Sequence, residues 1–326
     1  MDYSWLKIDL SRILYEDVTF KLSSDRSIDT LISSIARVGL ITPPILLTHE
    51  NRFVIVCGFA RIQACRHLGW NHITARCLDS RTSRQQCALL AVAEAVSQGP
   101  LNIVEQSRAI ALLVGFFETC REDAIEAARA VGLAVNSKFA KKLSLVNNFG
   151  PQLQQGLIEE TIGLPVALRI HKMFNATEAE ELSAFFRQLR LSLTRQKEML
   201  DWVETIIHRD GITLKELLSD PQILQWRRDR LLDDLQKSRL IRDYLKRRCY
   251  PTLSAFEQRY ERTLKLTGMG KGIHFSPPPN FEGRSFSLRI DFTSHDECLE
   301  RVQKTKQMVQ SPGFRELLDP RYRPDD

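Results

Sequence analysis

Long hydrophobic runs are missing from this chain. The longest strongly apolar stretch, Ala109 to Phe117, is far shorter than the ~18 residues a membrane span needs. The opening MDYSWLKIDL has no basic region followed by an apolar one, so no secretory signal is visible and a cytoplasmic protein is expected. No two cysteines stand in a C-x-x-C pair, and their count of seven is odd, which excludes a disulfide framework and a zinc ribbon. Reduced, mostly buried thiols are expected instead. The seven histidines form no H-x-x-x-H or H-E-x-x-H pattern and no acidic cluster suggests a nuclease metal site, so no metal ligand and no catalytic residue is assigned. Internal repeats and long low-complexity tracts are also lacking.

What is there is an ordinary globular composition, 43% hydrophobic and 26% charged, over 326 residues, enough for two or three domains. The chain carries 46 Lys+Arg against 40 Asp+Glu, a net +6 with pI ≈ 9.0, a weak pointer to an anionic partner. Residues 221–265 hold twelve of the basic and six of the acidic residues, so one segment equals the whole surplus. Two readings stay open for it. One is a solvated helical face laced with i,i+4 pairs, such as Asp229 and Asp233 near Arg230 and Lys237. The other is a phosphate- or partner-facing surface concentrated in Lys246, Arg247 and Arg248.

The patterning falls into blocks. Short β-rich runs at Trp5–Leu10, Ile45–Thr48, Phe53–Cys57 and His72–Leu78 alternate with helices over about Ile28–Val38 and Phe59–His67. His49 to Arg52 reads as a polar hairpin turn, and Gly39 and Gly69 stop the two helices. From Ser83 the pattern is helical; Ala109, Leu112, Leu113, Phe116 and Phe117 make an amphipathic stripe. Capping boxes are expected at Thr213-x-x-Glu216 and Ser254-x-x-Glu257. Trp202, Met199 and Ile206 read as helix core. Beyond Pro277 two β-rich runs and a helix opened by Ser294-x-x-Glu297 are expected.

Two places can carry function. In the first, the strand Phe53–Cys57 runs into Gly58 and a helix opened by Phe59-Ala60-Arg61. A helix start offers unpaired N–H groups, Gly58 permits close approach, and Arg61 adds a charge-assisted contact, so a phosphate can be held there. In the second, a short helix over Glu122–Val131 with Ile125 and Ala128 inward is followed by Gly132 and by Asn136, a good N-cap. The next helix buries Phe139, Leu143 and Val146 and displays Lys138, Lys141 and Lys142. That is the pattern of a helix-turn-helix, in which the lysines would neutralise phosphates while Asn136 and Ser137 touch base edges or backbone.

The order of these features resembles the ParB family, whose N-terminal domain is related to sulfiredoxin. The resemblance rests on Leu31–Gly39, Ile41–Leu47, Gly58–Ala64 and Leu68-Gly69-Trp70, similar to the family's "SI…G…QP…" stretch, its G-E-R-R-x-R box and closing Leu-Gly turn. It continues through Leu101–Ala109, similar to "LNPIEEARAY", and fades after Leu191–Glu198, similar to "LSxRxxE". The resemblance implies a nucleotide pocket for CTP or another nucleotide with magnesium, held by Gly58, Arg61 and Glu94, and double-stranded DNA held by Asn136, Ser137, Lys138, Lys141 and Lys142. It also implies a homodimer, a partition ATPase as a possible partner and a nucleoid-associated location. This sequence departs from the family at Phe59, Ala60 and Gln63 in the first box, and at Ala95 and Gln98 in the second, E-N-x-Q-R, where only Glu94 remains. Weak triphosphate binding is therefore expected, and CTP hydrolysis is not.

The expected architecture is an α+β ParB/sulfiredoxin-like domain over 1–98, an all-α helix-turn-helix domain over 99–176, a basic helical region over 177–268, and a small β-hairpin plus helix tail over 269–326. The expected function is DNA binding in plasmid, chromosome or mobile-element partition, or in transcriptional regulation, with a degenerate nucleotide pocket. The alternatives are a nucleotide-dependent phosphotransferase using Arg61 and Glu94, and a protein-binding scaffold using the basic helices. Sulfiredoxin chemistry is not expected, because its box carries a cysteine between glycine and arginine, whereas Cys57 precedes Gly58.

Overall fold

The computed structural model describes residues 3–24, 27–117, 121–266, 270–278 and 285–311, together with Phe314 and Leu318. The chain divides into two compact units, residues 1–197 and 198–326.

The first unit is built on four strands, β1 (Ser4–Asp9), β2 (Ile45–His49), β3 (Arg52–Cys57) and β4 (His72–Leu78), in the order β1-β4-β2-β3. β2 and β3 form an antiparallel hairpin, β4 pairs antiparallel with β1, and β2 runs parallel to β4. Their turn, Glu50-Asn51, places Glu50 at φ 52°. Side chains alternate across a pleated strand, and at β2 and β3 both faces are covered, so these two strands read as near-continuous apolar runs. Leu46, Phe53 and Ile55 pack with Ile35 of α1 (Asp29–Val38) and Ile62 of α2 (Phe59–His67). Ile45, Leu47, Val54 and Val56 point the other way, onto Ala88, Ala91 and Val92 of α3 (Arg84–Ser97).

That second core does not stop at α3. It continues through Ala109, Ile110 and Leu113 of α4 (Ile103–Phe116), Ala124, Ile125 and Ala128 of α5 (Arg121–Ala130), and Ala140 and Leu143 of α6 (Ser137–Val146). The mixed sheet and the first helices after it therefore share one apolar interior. α4 packs on both α5 and α6, and the buried Ser107 hydroxyl of α4 donates to the Leu143 carbonyl of α6 at 2.6 Å. Gly132, at φ 91°, closes α5, where the Gly132 and Leu133 N–H groups donate back to Arg129 and Ala128. The expected inward row of α6 needs one correction. Leu143 and Val146 are buried, but Phe139 is only half-buried and Ala140 takes the innermost place. The small side chain is the one that fits where α4 crosses. Helices α7 (Pro151–Ile158), α8 (Leu164–Met173) and α9 (Ala176–Leu189) complete this unit, α9 capped by an Asn175–Glu178 box.

Helix α10 (Leu193–Asp210) begins in the first unit and ends in the second. The second unit continues with α11 (Leu214–Leu218), α12 (Pro221–Arg228), α13 (Asp234–Cys249) and α14 (Pro251–Leu266), then β5 (Ile273–Ser276), β6 (Ser287–Ile290) and α15 (His295–Gln310). β5 and β6 pair antiparallel; Phe275 meets Tyr260 and Phe314 in a small core. Met199, Trp202 and Ile206 are buried. The Thr213–Glu216 box forms in full. The one expected at Ser254 does not: α14 starts three residues earlier at Pro251, whose ring has no N–H to leave unpaired at a helix start. Ser254 is consequently an interior helix residue whose N–H donates to the Tyr250 carbonyl.

Cysteines 57, 65, 77, 87 and 249 are buried free thiols, Cys298 is half-buried, and Cys120 lies outside the described residues. Among the described residues no helix is long and apolar enough to cross a membrane. The α4–α6 bond gives a direct test. Ser107→Ala leaves the Leu143 carbonyl short of a buried donor and should lower unfolding free energy by about 1–2 kcal/mol, measured by urea denaturation.

Candidate functional site

The turn from β3 into α2 builds the first site. Gly58 caps α2 at φ 92°, a left-handed conformation that favours glycine. A Cβ there would lie 2.9 Å from Pro44 Cβ and 3.1 Å from Arg61 Nε, so the Arg61 side chain is folded back over the helix start. Its Nη1 donates to the Thr42 carbonyl at 2.9 Å, and its Nη2 pairs with Glu94 of α3. Gln98, one turn further along α3, donates its amide to the same Glu94 oxygen. Gly58, Arg61 and Glu94, far apart in sequence, are thus brought together. The arginine arrives already paired.

These residues open onto a cavity of about 610 Å³, within the ~300–1,000 Å³ usual for small-molecule sites. Its wall includes Phe20, Leu22, Ile28, Phe59, Ala60 and Leu101, and the charged groups among the described lining residues are Arg61, Glu94 and Glu105. The far wall is a clasp that sequence reasoning missed. Glu105, only 4% exposed, accepts from the Ser24 N–H at 3.1 Å and the Ser24 hydroxyl at 2.8 Å through one oxygen. Its other oxygen accepts the Asn102 N–H at 3.1 Å, in a capping box that starts α4. Arg108 donates to the Ser23 carbonyl at 2.7 Å. The Asn102-x-x-Glu105 spacing was a readable cap signal; that the same carboxylate also holds the segment lining the cavity is decided only by the fold.

Cys57 ends β3 at the cavity floor. Burial, reinforced by the Glu94 carboxylate, pushes its thiol up to about 12, so it is no nucleophile near neutral pH. Among the described residues no group of three or more His, Cys, Asp or Glu is placed to hold a metal ion.

The second place is the exposed side of α6. Asn136 caps the helix, its carbonyl oxygen accepting the Phe139 N–H at 2.8 Å, and it stays exposed. Ser137 is half-buried; Lys138, Lys141 and Lys142 are exposed. Asn136 thus has its oxygen occupied and its amide N–H₂ free of that cap. The five residues lie together on the N-cap and the first turns of α6.

The basic stretch 221–265 is less available than its charge count suggests. Arg248 pairs with both Asp210 and Asp220, Lys246 with Glu257, and Arg242 with Glu198. Of Lys246, Arg247 and Arg248, only Arg247 is exposed, the other two being half-buried. The expected acid partners act differently too: Asp229 accepts the Leu231 N–H, and Asp233 caps α13.

The family model of the ParB N-terminal domain matches residues 7–94. Those residues form a ParB N-terminal domain. The domain runs from β1 to Glu94, the partner of Arg61, so the match covers the sheet, α1, α2 and most of α3. No curated protein matches the sequence. Similar solved structures include the C-terminally truncated chromosome-partitioning protein ParB from Caulobacter crescentus, complexed with CTP-gamma-S, at 16% identity over 56% of this chain and 98% of that one, TM-score 0.26. The same protein complexed to the centromeric parS site matches at 14% identity over 60% and 96% of the two chains, TM-score 0.29. A Pnob8-like ParB-N domain matches at 15% identity over 61% and 89%, TM-score 0.37.

The Cys57 environment yields a pH prediction. In the unfolded chain this thiol ionises near its ordinary value of 9.0, whereas in the folded domain it stays protonated up to about 12. The folded state therefore binds more protons across that window, and stability should fall as pH rises through it, by about 1.4 kcal/mol per pH unit from this group. Cys57→Ala should flatten the slope of urea-unfolding free energy against pH between those values. At pH 8 native Cys57 should resist iodoacetamide until denaturant is added, as read by mass spectrometry.

Proposed function

We propose that this protein binds double-stranded DNA through the exposed start of α6, as a ParB-like partition or regulatory protein of plasmid, chromosome or mobile element. The observation that carries the reading is the shared core. A ParB N-terminal domain is packed continuously against α4, α5 and α6, and α6 presents Lys138, Lys141 and Lys142 on its solvent side. In this reading α5 and α6 are the two helices of a helix-turn-helix, with Asn136 and Ser137 at the N-terminal end that enters the major groove. The three lysines neutralise phosphates.

The nucleotide pocket is degenerate in this reading. A triphosphate with magnesium needs several free cations or N–H groups and a place for the metal; the described lining offers one arginine, already paired, and two carboxylates. The residues present do not fit that group. A phosphotransferase would need Glu94 as a free base, and the Arg61 and Gln98 contacts oppose that role. A scaffold using Lys246, Arg247 and Arg248 is opposed by the internal pairing of two of the three. Self-association is assigned to the second unit, where Leu299, Val302 and Val309 are exposed along α15. A partition ATPase is the partner class this role implies.

Titration of labelled duplex DNA across a salt series tests the reading. Log affinity should fall linearly with log salt, and Lys138→Ala/Lys141→Ala/Lys142→Ala should reduce the slope by up to about 2.7, at roughly 0.9 per phosphate contact. An unchanged slope would remove α6 from the interface. For self-association, Leu299→Glu/Val302→Glu should shift the sedimentation coefficient from dimer to monomer.

A further inference from the structure

We infer that the cavity beside α2 takes an uncharged ligand of nucleoside size, and that the Arg61–Glu94 pair fills the anion position with the protein's own charges. The inference rests on the reading of this cavity as a degenerate nucleotide pocket and names what the degenerate form selects.

Three observations converge. The first is position. Arg61 lies against Gly58, with Nε 3.1 Å and Cζ 3.2 Å from where a Cβ would stand, so its guanidinium covers the start of α2 where an incoming anion would meet free N–H groups. The second is pairing. The guanidinium is held at Thr42 by its carbonyl and at Glu94 by its carboxylate, and it is 12% exposed, so nothing in water needs to neutralise it. Glu94 is held in turn by Gln98, which stiffens the pair. The third is the sign of the wall. With Arg61 offset by Glu94, the remaining charged group among the described lining residues is Glu105, already accepting from Ser24 and Asn102.

A phosphate chain entering this space would have to break the Arg61–Glu94 pair and lie beside a displaced carboxylate. Like charges in a partly buried site repel far more than in water, so the arrangement discriminates against anions. The other described lining residues pose no such conflict. Phe20, Leu22, Ile28 and Phe59 provide apolar surface, and Ser27 and Thr42 provide polar edges, in a volume of about 610 Å³. A flat, uncharged ring carrying hydroxyl groups meets that chemistry; a polyphosphate does not.

The experiment uses the full chain, with binding followed by calorimetry and by thermal shift. Cytidine, uridine and CTP with magnesium are the probes. In the wild-type protein a nucleoside should bind at least about tenfold more tightly than CTP with magnesium. Glu94→Gln, which releases Arg61 and removes the internal anion, should tighten CTP binding by about tenfold while raising the nucleoside affinity little. Circular dichroism of the variant checks that it folds, and if it does not, the wild-type comparison still decides. Two results overturn the inference and are told apart. If CTP with magnesium binds the wild type as tightly as the nucleosides or more so, both the inference and the degenerate-pocket reading fail. If no probe binds up to millimolar concentration, the inference alone fails and the pocket is vestigial.

Discussion

Helix α3 is the constraint on which the first unit depends. Its buried residues are small, Cys87, Ala88, Ala91 and Val92, each at most 4% exposed. Small side chains let the sheet approach on one flank while α4 and α5 approach on the other, so one apolar interior spans the mixed sheet and the helices behind it. A larger residue at Ala88 or Ala91 would have to displace a neighbour on one side or the other. The same helix delivers Glu94 and Gln98 at its exposed end to Arg61 on α2. Packing and polar chemistry are thus set by a single element, the buried face by volume and the last turn by charge.

The cavity follows from that geometry. Two carboxylates line it, with different relations to their surroundings. Glu94 is matched by a full charge, Arg61, and so neutralises the lone cation of the described wall. Glu105 is matched by hydrogen bonds from Ser24 and Asn102, which anchor the 22–24 segment to the start of α4. Arg108 adds two more bonds to that segment's carbonyls. The wall nearest α4 is therefore held by the helix whose other side packs on α6, so cavity and proposed DNA surface have a common support.

Charge distribution tells a related story in the second unit. The basic excess of residues 221–265 left open both a solvated helical face and a phosphate- or partner-facing surface; in the fold Arg242, Lys246 and Arg248 are each spent on acids within the same unit. Tyr244 joins them through Asp220. Such a network orders helices rather than recruits an anion. On α6 the opposite holds: three lysines amount to little in the total but stand exposed together.

Local signals in the sequence were enough to determine the strands of the sheet, α1, α2, the Gly58 turn, the caps at Asn136, Thr213 and Ser294, and the polar side of α6. Each depends on spacing or on a residue's own backbone preference, which a single segment carries within itself. At Ser254 the same kind of signal misled, because Pro251 offered an earlier helix start and a cap motif competes only with its neighbours. Tertiary structure alone decided that Ala140 rather than Phe139 lies innermost, that Glu105 clasps Ser24, and that Arg61 is already paired when it reaches the cavity. Those outcomes depend on volumes and charges meeting from segments 33 to 81 residues apart, and no periodicity within one segment encodes what the other segment will bring.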